Sequence, residues 1–523
     1  MKIRILKHFL TVIVLTTIFS CNSTEEKKKV EQRPNILFIM SDDHTSQAWG
    51  VYGGTLKDYV HTPNISRMAD EGMVLNNAFC TNSICVPSRA AILTGQYSNK
   101  NGVYTLSDAL QPDSLNIAKV LKNNGYQTAI IGKWHLKKEP TGFDYYNVLH
   151  DQGRYWDPIL RTKKNFHKPS KEWDVHKGFS TDVIADLSMS WLDTIAKDKP
   201  FMLFTHFKAT HEPFDFPERF NNLYKDVEIP EPASLFDFGP ETTGRSFPGQ
   251  SIDNLSIRYG KASDAPDEWW CKYPGLPFYT KDMDSITARK AVYQKLVKDF
   301  MRSGAAIDDN IGKILDYLEK NDLADNTVVI YTADQGYFLG EHGFFDKRLI
   351  YEESLRMPFV IRYPKEIGAG KRLDDLILNI DFAALFADYA GVQVPKSIQG
   401  KSFRENLKGN TADSWRKSIY YRYWTNDATR PGHFGIRNER YKLALFYGHS
   451  LDMTGSSKKS TAPAWEFFDL EKDPKENRNS YSDPSYKEVI EEMKIELKKL
   501  REEVGDTDTK YPEMQEIFSQ VWN

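Results

Sequence analysis

Four short apolar runs along the chain each stop at a cluster of polar side chains. Residues 35–40 run into Ser41, Asp42, Asp43 and His44, and residues 128–132 into Lys133, Trp134 and His135. Residues 201–204 lead to Thr205, His206, Lys208, Thr210 and His211, and residues 327–331 to Ala333, Asp334, Gln335 and Gly336. Continuous apolar runs of this length mark strands covered on both faces, as in a parallel sheet. Helical periodicity over 114–123, stopped by Asn124 and Gly125, and over 305–321 places helices before or between these strands. The expected core is a doubly wound α/β sheet, mixed in strand direction, in which ligands bind outside the carboxyl ends of the strands. All four polar clusters fall there.

Past about residue 399 the pattern changes to alternating runs at 418–424, 433–436, 441–447 and 465–470, followed by a charged amphipathic helix over 486–504. A main domain over 34–398 and a smaller C-terminal α+β domain over 399–523, built on an antiparallel sheet, are expected. Residues 212–289 form a long stretch rich in proline, glycine and aromatics with little periodicity. It is too long for an ordinary connection, and its aromatic content favours a wall of the site over disorder. Its Trp269 and Trp270 suit stacking on a sugar ring, or packing of the insertion onto the main domain.

The chain has 523 residues, with 69 Lys and Arg against 72 Asp and Glu and a net charge of −3. The basic residues are scattered, so nucleic acid is not an expected partner. At the N-terminus Lys2, Arg4 and Lys7 precede an apolar run over 9–19 and then Ser20-Cys21. This is the layout of a secretory signal over 1–20, too short for a permanent membrane span. Residues 18–21 also resemble a bacterial lipoprotein box, which implies a lipid-bearing Cys21, a flexible tether over 21–33, and a periplasmic or cell-surface location. Cys80, Cys85 and Cys271 remain in the exported chain, which allows one disulfide with one buried thiol or three buried thiols.

Three carboxylates and an amide at two strand tips (Asp42, Asp43, Asp334, Gln335) suit a hard divalent cation, and the nearby lysines and histidines suit an anionic substrate. Lys133 and His135, two residues apart, are expected on one face of an extended segment. Cys85 precedes Pro87, at a favoured first-turn position, and Gly95, an expected stop. It therefore sits at a helix entrance whose free N–H groups favour anions, with Arg89 about one turn inside.

Cys85-Val86-Pro87-Ser88-Arg89 followed by Ala90-Ala91-Ile92-Leu93-Thr94-Gly95 resembles the signature of the type I sulfatases, whose cysteine is oxidised to formylglycine. The resemblance runs from about Pro34 to the C-terminus and includes Asp42-Asp43, Gly132 to His135, Asp334-Gln335-Gly336 and Gly340 to Gly343. It implies an alkaline-phosphatase/sulfatase-like fold and a formylglycine-generating maturation enzyme as partner. It also implies a calcium ion held by Asp42, Asp43, Asp334, Gln335 and the modified Cys85. Gln335 departs from the commoner asparagine. The catalytic set so implied is Cys85, Arg89, Lys133, His135, His211 and Lys347: His211 protonates the departing sugar oxygen, and His135 deprotonates the hydrated aldehyde to expel sulfate. Lys133, His211, Lys347, Arg348 and His433 are the expected substrate contacts, and Arg437 and His449 are further candidates on the C-terminal loops. The segment from Phe345 to Arg348, with Tyr351, Glu352 and Arg356-Met357-Pro358, is similar to N-acetylglucosamine-6-sulfatases acting on heparan-type glycans. The competing readings are a sulfatase for another sulfated sugar, a phosphate or phosphonate ester hydrolase of the same superfamily, and a non-catalytic glycan-binding lipoprotein.

Overall fold

The computed structural model describes residues 33–236 and 247–522. The expected signal, lipid-bearing Cys21 and most of the tether lie outside them. Among the described residues, ten strands form one mixed sheet. Its centre is β1 (Asn35–Asp42), β2 (Gln127–Gly132), β3 (Phe201–Thr210) and β4 (Thr327–Ala333), in the order β4-β1-β3-β2, all parallel. These are the four strands expected from the apolar runs, lying side by side. Tyr145–Leu149 extends the parallel set beyond β2. An antiparallel strand flanks this parallel set on each side, Phe359–Arg362 beside β4 and Ile159–Thr162 beside Tyr145–Leu149, with further short strands beyond them.

Alternate residues of β1 supply two cores. Ile36, Phe38 and Met40 join the cluster under α1 (Cys85–Thr94) and α3 (Asp381–Tyr389), while Leu37 and Ile39 join the cluster under Ser180–Leu192 and α2 (Ser285–Lys320). The helices therefore cover both faces. Helix α2 begins twenty residues before the periodicity expected over 305–321. Its N-terminal half buries Val292, Tyr293, Leu296, Val297 and Phe300 against the insertion, where Phe214, Leu235, Leu255 and Tyr259 form a third apolar cluster. The insertion is folded, with a helix of its own at Asp253–Asp264.

The C-terminal strands β5 (Ser418–Tyr423), β6 (His433–Asn438), β7 (Tyr441–Phe446) and β8 (Ala464–Asp469) form an antiparallel meander, with α4 (Lys487–Val504) packed on it. A last helix, Pro512–Val521, was not signalled by the sequence pattern. Cys80, Cys85 and Cys271 are all buried free thiols.

Candidate active site

The floor of the site is built by strand ends. At the tip of β1, Asp42 is extended and Asp43 turns into the left-handed region (φ 69°), so the two consecutive carboxylates serve different partners. Asp42 Oδ1 accepts from Cys85 Sγ at 3.3 Å, and Oδ2 is paired with Lys133 Nζ. Asp43 Oδ2 accepts from Lys347 Nζ at 2.6 Å, and its backbone N–H donates to Asp334 Oδ1 at 3.2 Å. Asp334 Oδ2 accepts from Arg89 Nε at 2.9 Å. The three carboxylates are fully buried and can bring one oxygen each within 4.8 Å of the others. Burial, against the pull of Arg89, pushes Asp334 up to about 8. Burial also raises Asp42, but Lys133 and the other cations around it more than offset this and hold it well below the usual range.

Cys85 is the first residue of α1, and Gly95 closes that helix in the left-handed conformation (φ 66°), as the pattern anticipates. The Lys133–His135 segment differs from expectation. Gly132 and His135 both have positive φ (102° and 56°), so the chain bends sharply off β2 and does not run extended. The Arg89 guanidinium donates to the Lys133 carbonyl at 2.8 Å and thereby ties α1 to that bend. His135 Nε2 lies 3.5 Å from Asp151 Oδ1, and its Nδ1 is buried without a hydrogen-bond partner among the described residues. Tyr155 Oη donates to the His211 carbonyl at 2.6 Å, and His211 Nδ1 lies 2.8 Å from the Glu212 carbonyl. That oxygen can only accept, so Nδ1 carries the proton and Nε2, 3.9 Å from Asp43 Oδ2, faces the floor. Burial, with Lys133 and Lys347 adding, holds His211 well below its ordinary value.

Above this floor opens a cleft of about 740 Å³. Cys85, Asp43, His211 and Lys347 lie at its base. The 151–156 loop forms one wall, and the insertion forms another with Glu212, Arg258, Trp269 and Trp270. The insertion is thus a wall, as its composition suggests.

A sulfatase family profile matches residues 34–392, and a second profile, N-sulphoglucosamine sulphohydrolase, C-terminal, matches residues 340–503. The chain belongs to the sulfatase family. The N-acetylglucosamine-6-O-sulfatase of Bacteroides thetaiotaomicron is 36% identical over 532 residues, covering 95% of this sulfatase and 91% of that protein. The N-acetylglucosamine-6-sulfatase of Capra hircus is 25% identical over 426 residues, covering 77% and 68%. A solved structure in complex with its substrate, D-glucosamine-2-N,6-O-disulfate, is similar with a TM-score of 0.81 at 35% identity, covering 92% of this chain and 100% of that one. A phosphonate monoester hydrolase from Silicibacter pomeroyi shares the fold with a TM-score of 0.67 at 19% identity, covering 91% and 97%. The architecture is that of the alkaline-phosphatase and sulfatase group.

The acidic floor of the sulfatase fits a metal ion. Its donors are carboxylate oxygens plus Gln335, whose Oε1 is buried without a partner while Nε2 reaches Asp43 Oδ1 and, at 3.6 Å, Cys85 Sγ. Turning this amide by half a revolution exchanges the two atoms and presents an oxygen to the carboxylates. The three carboxylates are matched by Arg89, Lys133 and Lys347, so a divalent cation leaves the floor net positive, as an anionic ester requires.

His433 is not part of the cleft. It is fully buried in the C-terminal sheet, stacked on Phe446 at 4.4 Å with Nδ1 2.8 Å from the Pro431 carbonyl. The alternation of β6 turns it inward, which a period-two pattern cannot distinguish from outward. Arg437 is likewise engaged with Glu352 and Phe79, and neither it nor His449 lines the cleft. The contribution of the C-terminal part is instead Arg430, which reaches Asp346 Oδ2 at 3.0 Å beside Arg348. Also unsignalled are Asp151, Tyr155 and Arg258, which lie on loops and in the insertion. The sequence places Lys208 two residues past His206 on a strand tip, and this was the available clue to it.

Proposed function

We propose that this sulfatase hydrolyses the 6-O-sulfate of N-acetylglucosamine or a related glucosamine unit, using formylglycine at position 85 and calcium. The observation that carries the substrate is the 36% identity, across 95% of the chain, to an N-acetylglucosamine-6-O-sulfatase. The cleft adds chemistry in support: a nucleophile position at a helix entrance, ringed by cations, below a polar and aromatic opening.

Asp42, Asp43, Asp334, Gln335 and the side chain at 85 would hold calcium, which when bound offsets charge on the sulfate oxygens. Formylglycine supplies, once hydrated, the attacking hydroxyl. Arg89 fixes Asp334 and the Lys133 bend, while Asp42 and Asp43 hold the ammonium groups of Lys133 and Lys347 for the ester. The negative charge of a bound sulfate ester favours the imidazolium form of His211, which then passes the proton on Nε2 to the departing sugar oxygen while Nδ1–H stays on the Glu212 carbonyl. His135, neutral and braced by Asp151, removes a proton at the residue-85 side to release sulfate. Arg348, held by Asp346 and by Tyr423 Oη at 3.0 Å, grips the sugar.

Chromatography of 2-O-, 3-O-, 6-O- and N-sulfated amino sugars and uronates tests the substrate. Desulfation is expected at the 6-O position of glucosamines and far more slowly on the galactosamine epimer, because a group pairing the equatorial O4 is left unpaired by the axial one. Activity confined to galactosamine or uronate members rules this substrate out. Mass spectrometry of the residue-85 peptide should show a loss of about 18 Da for formylglycine. We further propose export and anchoring through a lipid on Cys21, at the periplasmic or outer surface. Release of a Cys21→Ala variant from the membrane fraction checks it.

A further inference from the structure

The cations that line the cleft are nearly all matched. Lys347 is held by Asp43, Arg258 by Glu212, Arg348 and Arg430 by Asp346, and Lys272 by Asp267. Lys208 differs. It is only 3% exposed and lines the cleft, yet among the described residues its ammonium has no hydrogen bond and no carboxylate within 4 Å. The ring of Tyr155 lies beside it, its centroid 4.9 Å from the ammonium.

The backbone explains how it comes to be there. β1 and β3 run in register from Ile36 opposite Met202 to Met40 opposite His206, after which Asp42 pairs with Thr210. Three residues of β3 therefore stand against Ser41 alone, and Lys208 is the middle one. A bulge of this kind re-aims a side chain and is common beside active sites. The strand then continues directly to His211, whose N–H donates to the Lys208 carbonyl at 3.2 Å, so the backbones of the two residues are tied together.

A buried, uncompensated ammonium destabilises a fold unless something supplies the opposite charge. We infer that Lys208 is a further substrate-binding residue, whose counter-ion is the sulfate group of the substrate itself. The inference rests on the proposed sulfatase reaction at Cys85 and adds a residue to it. The cost of the unpaired charge in the free enzyme is recovered only when the anion arrives, so Lys208 stabilises the complex at the expense of the empty site. Burial, with the nearby Lys133 adding and Asp42 and Asp43 opposing, pushes this lysine down to about 8.

The two roles, anion binding and structural support, predict opposite signs. In the matured, calcium-loaded enzyme, Lys208→Met should raise Tm of the ligand-free protein by roughly 1–3 °C, because it removes a buried charge and keeps the side-chain volume. The same variant should lower kcat/KM for a sulfate ester roughly 10- to 100-fold, the range for losing a charged hydrogen bond. Inorganic sulfate should stabilise the wild type in a thermal-shift titration and should need a roughly 10-fold or higher concentration to do so in Lys208→Met. Binding of the desulfated sugar should be the same in both, and Lys208→Arg should keep most of the sulfate response. An unchanged sulfate titration in Lys208→Met overturns the inference, as does a lowered Tm with unchanged KM. Lys208→Gln carries the same readouts if the methionine variant is not recovered folded. A wild type that turns over no sulfate ester refutes the proposed reaction instead, and the sulfate titration separates that outcome from this one.

Discussion

Asp43 carries three duties through one side chain: it accepts from Lys347, faces Gln335, and sits within oxygen-sharing distance of Asp42 and Asp334. Asp43→Ala should therefore cost roughly two decades in kcat, comparable to losing a preorganised transition-state contact. It should also lower stability by roughly 3–5 kcal/mol, because Lys347 is left buried beside a hole. Parallel kinetics and denaturant titration check both. His135 gives a pH-dependent prediction. Burial, against the pull of Asp151, holds its imidazole down to about 4, whereas the unfolded chain protonates near 6.5. Between these values the unfolded state binds more protons, so His135 weakens the fold progressively as pH falls from about 6.5 to about 4. Other buried groups titrate in the same span, Asp215 at about 6 among them with the opposite sign. The test is therefore a difference: Tm of His135→Asn relative to wild type should rise on acidification through that window, and a constant difference contradicts the assignment. At this scale the floor was legible in the sequence, because its carboxylates end apolar runs and Cys85 opens a signature. Lys208 was legible only as a member of a strand-tip cluster, and Arg258 was not legible, because nothing local distinguishes an arginine in an insertion from a solvated one. His433 misled, because a histidine in an alternating run carries no mark of the face it takes.

The elements place these residues through a few close approaches. Where β2 meets β3, a Cβ at position 132 would lie 1.9 Å from the His206 carbonyl oxygen, and Gly132 holds φ at 102°. Only glycine fits. Gly132→Ala should cost about 3 kcal/mol or more and move the Lys133–His135 bend, so that activity is lost along with stability. Calorimetry and residual kcat/KM at a permissive temperature measure both. The strands were legible because burial on both faces removes polar alternation from their sequence. The length of α2 was not, because its first half packs on the insertion, and periodicity within that half has meaning only once the partner surface is known.

At the scale of the whole molecule, the C-terminal sheet braces the loop that carries Lys347. Lys442 from β7 is fully buried; it donates to the Ile350 carbonyl at 2.9 Å and pairs with Glu352 at 3.0 Å and Glu476 at 2.6 Å. Gln250 of the insertion also donates to the carbonyls of Phe345 and Lys347 at 2.8 and 2.9 Å. Removing Lys442 leaves the buried Glu476 without its cation and takes one of three from Glu352, which keeps Arg356 and Arg437, so Lys442→Met should destabilise by roughly 3–5 kcal/mol and, at temperatures where it remains folded, lower kcat by loosening Lys347. A folded variant with wild-type kcat would show that the loop holds without its brace.

The burial of Cys85 also has a consequence in time. Its side chain is 1% exposed, closed in by Asp42 from the first strand and by Asp334 and Gln335 from a strand some 250 residues later. During synthesis, at roughly 5–20 residues per second, Cys85 therefore waits on the order of tens of seconds for the segment that encloses it. The long separation of these partners slows closure further. On the proposed formylglycine reading, the converting enzyme would have that interval, and a host that folds the chain faster than it modifies it would leave the cysteine sealed in unconverted.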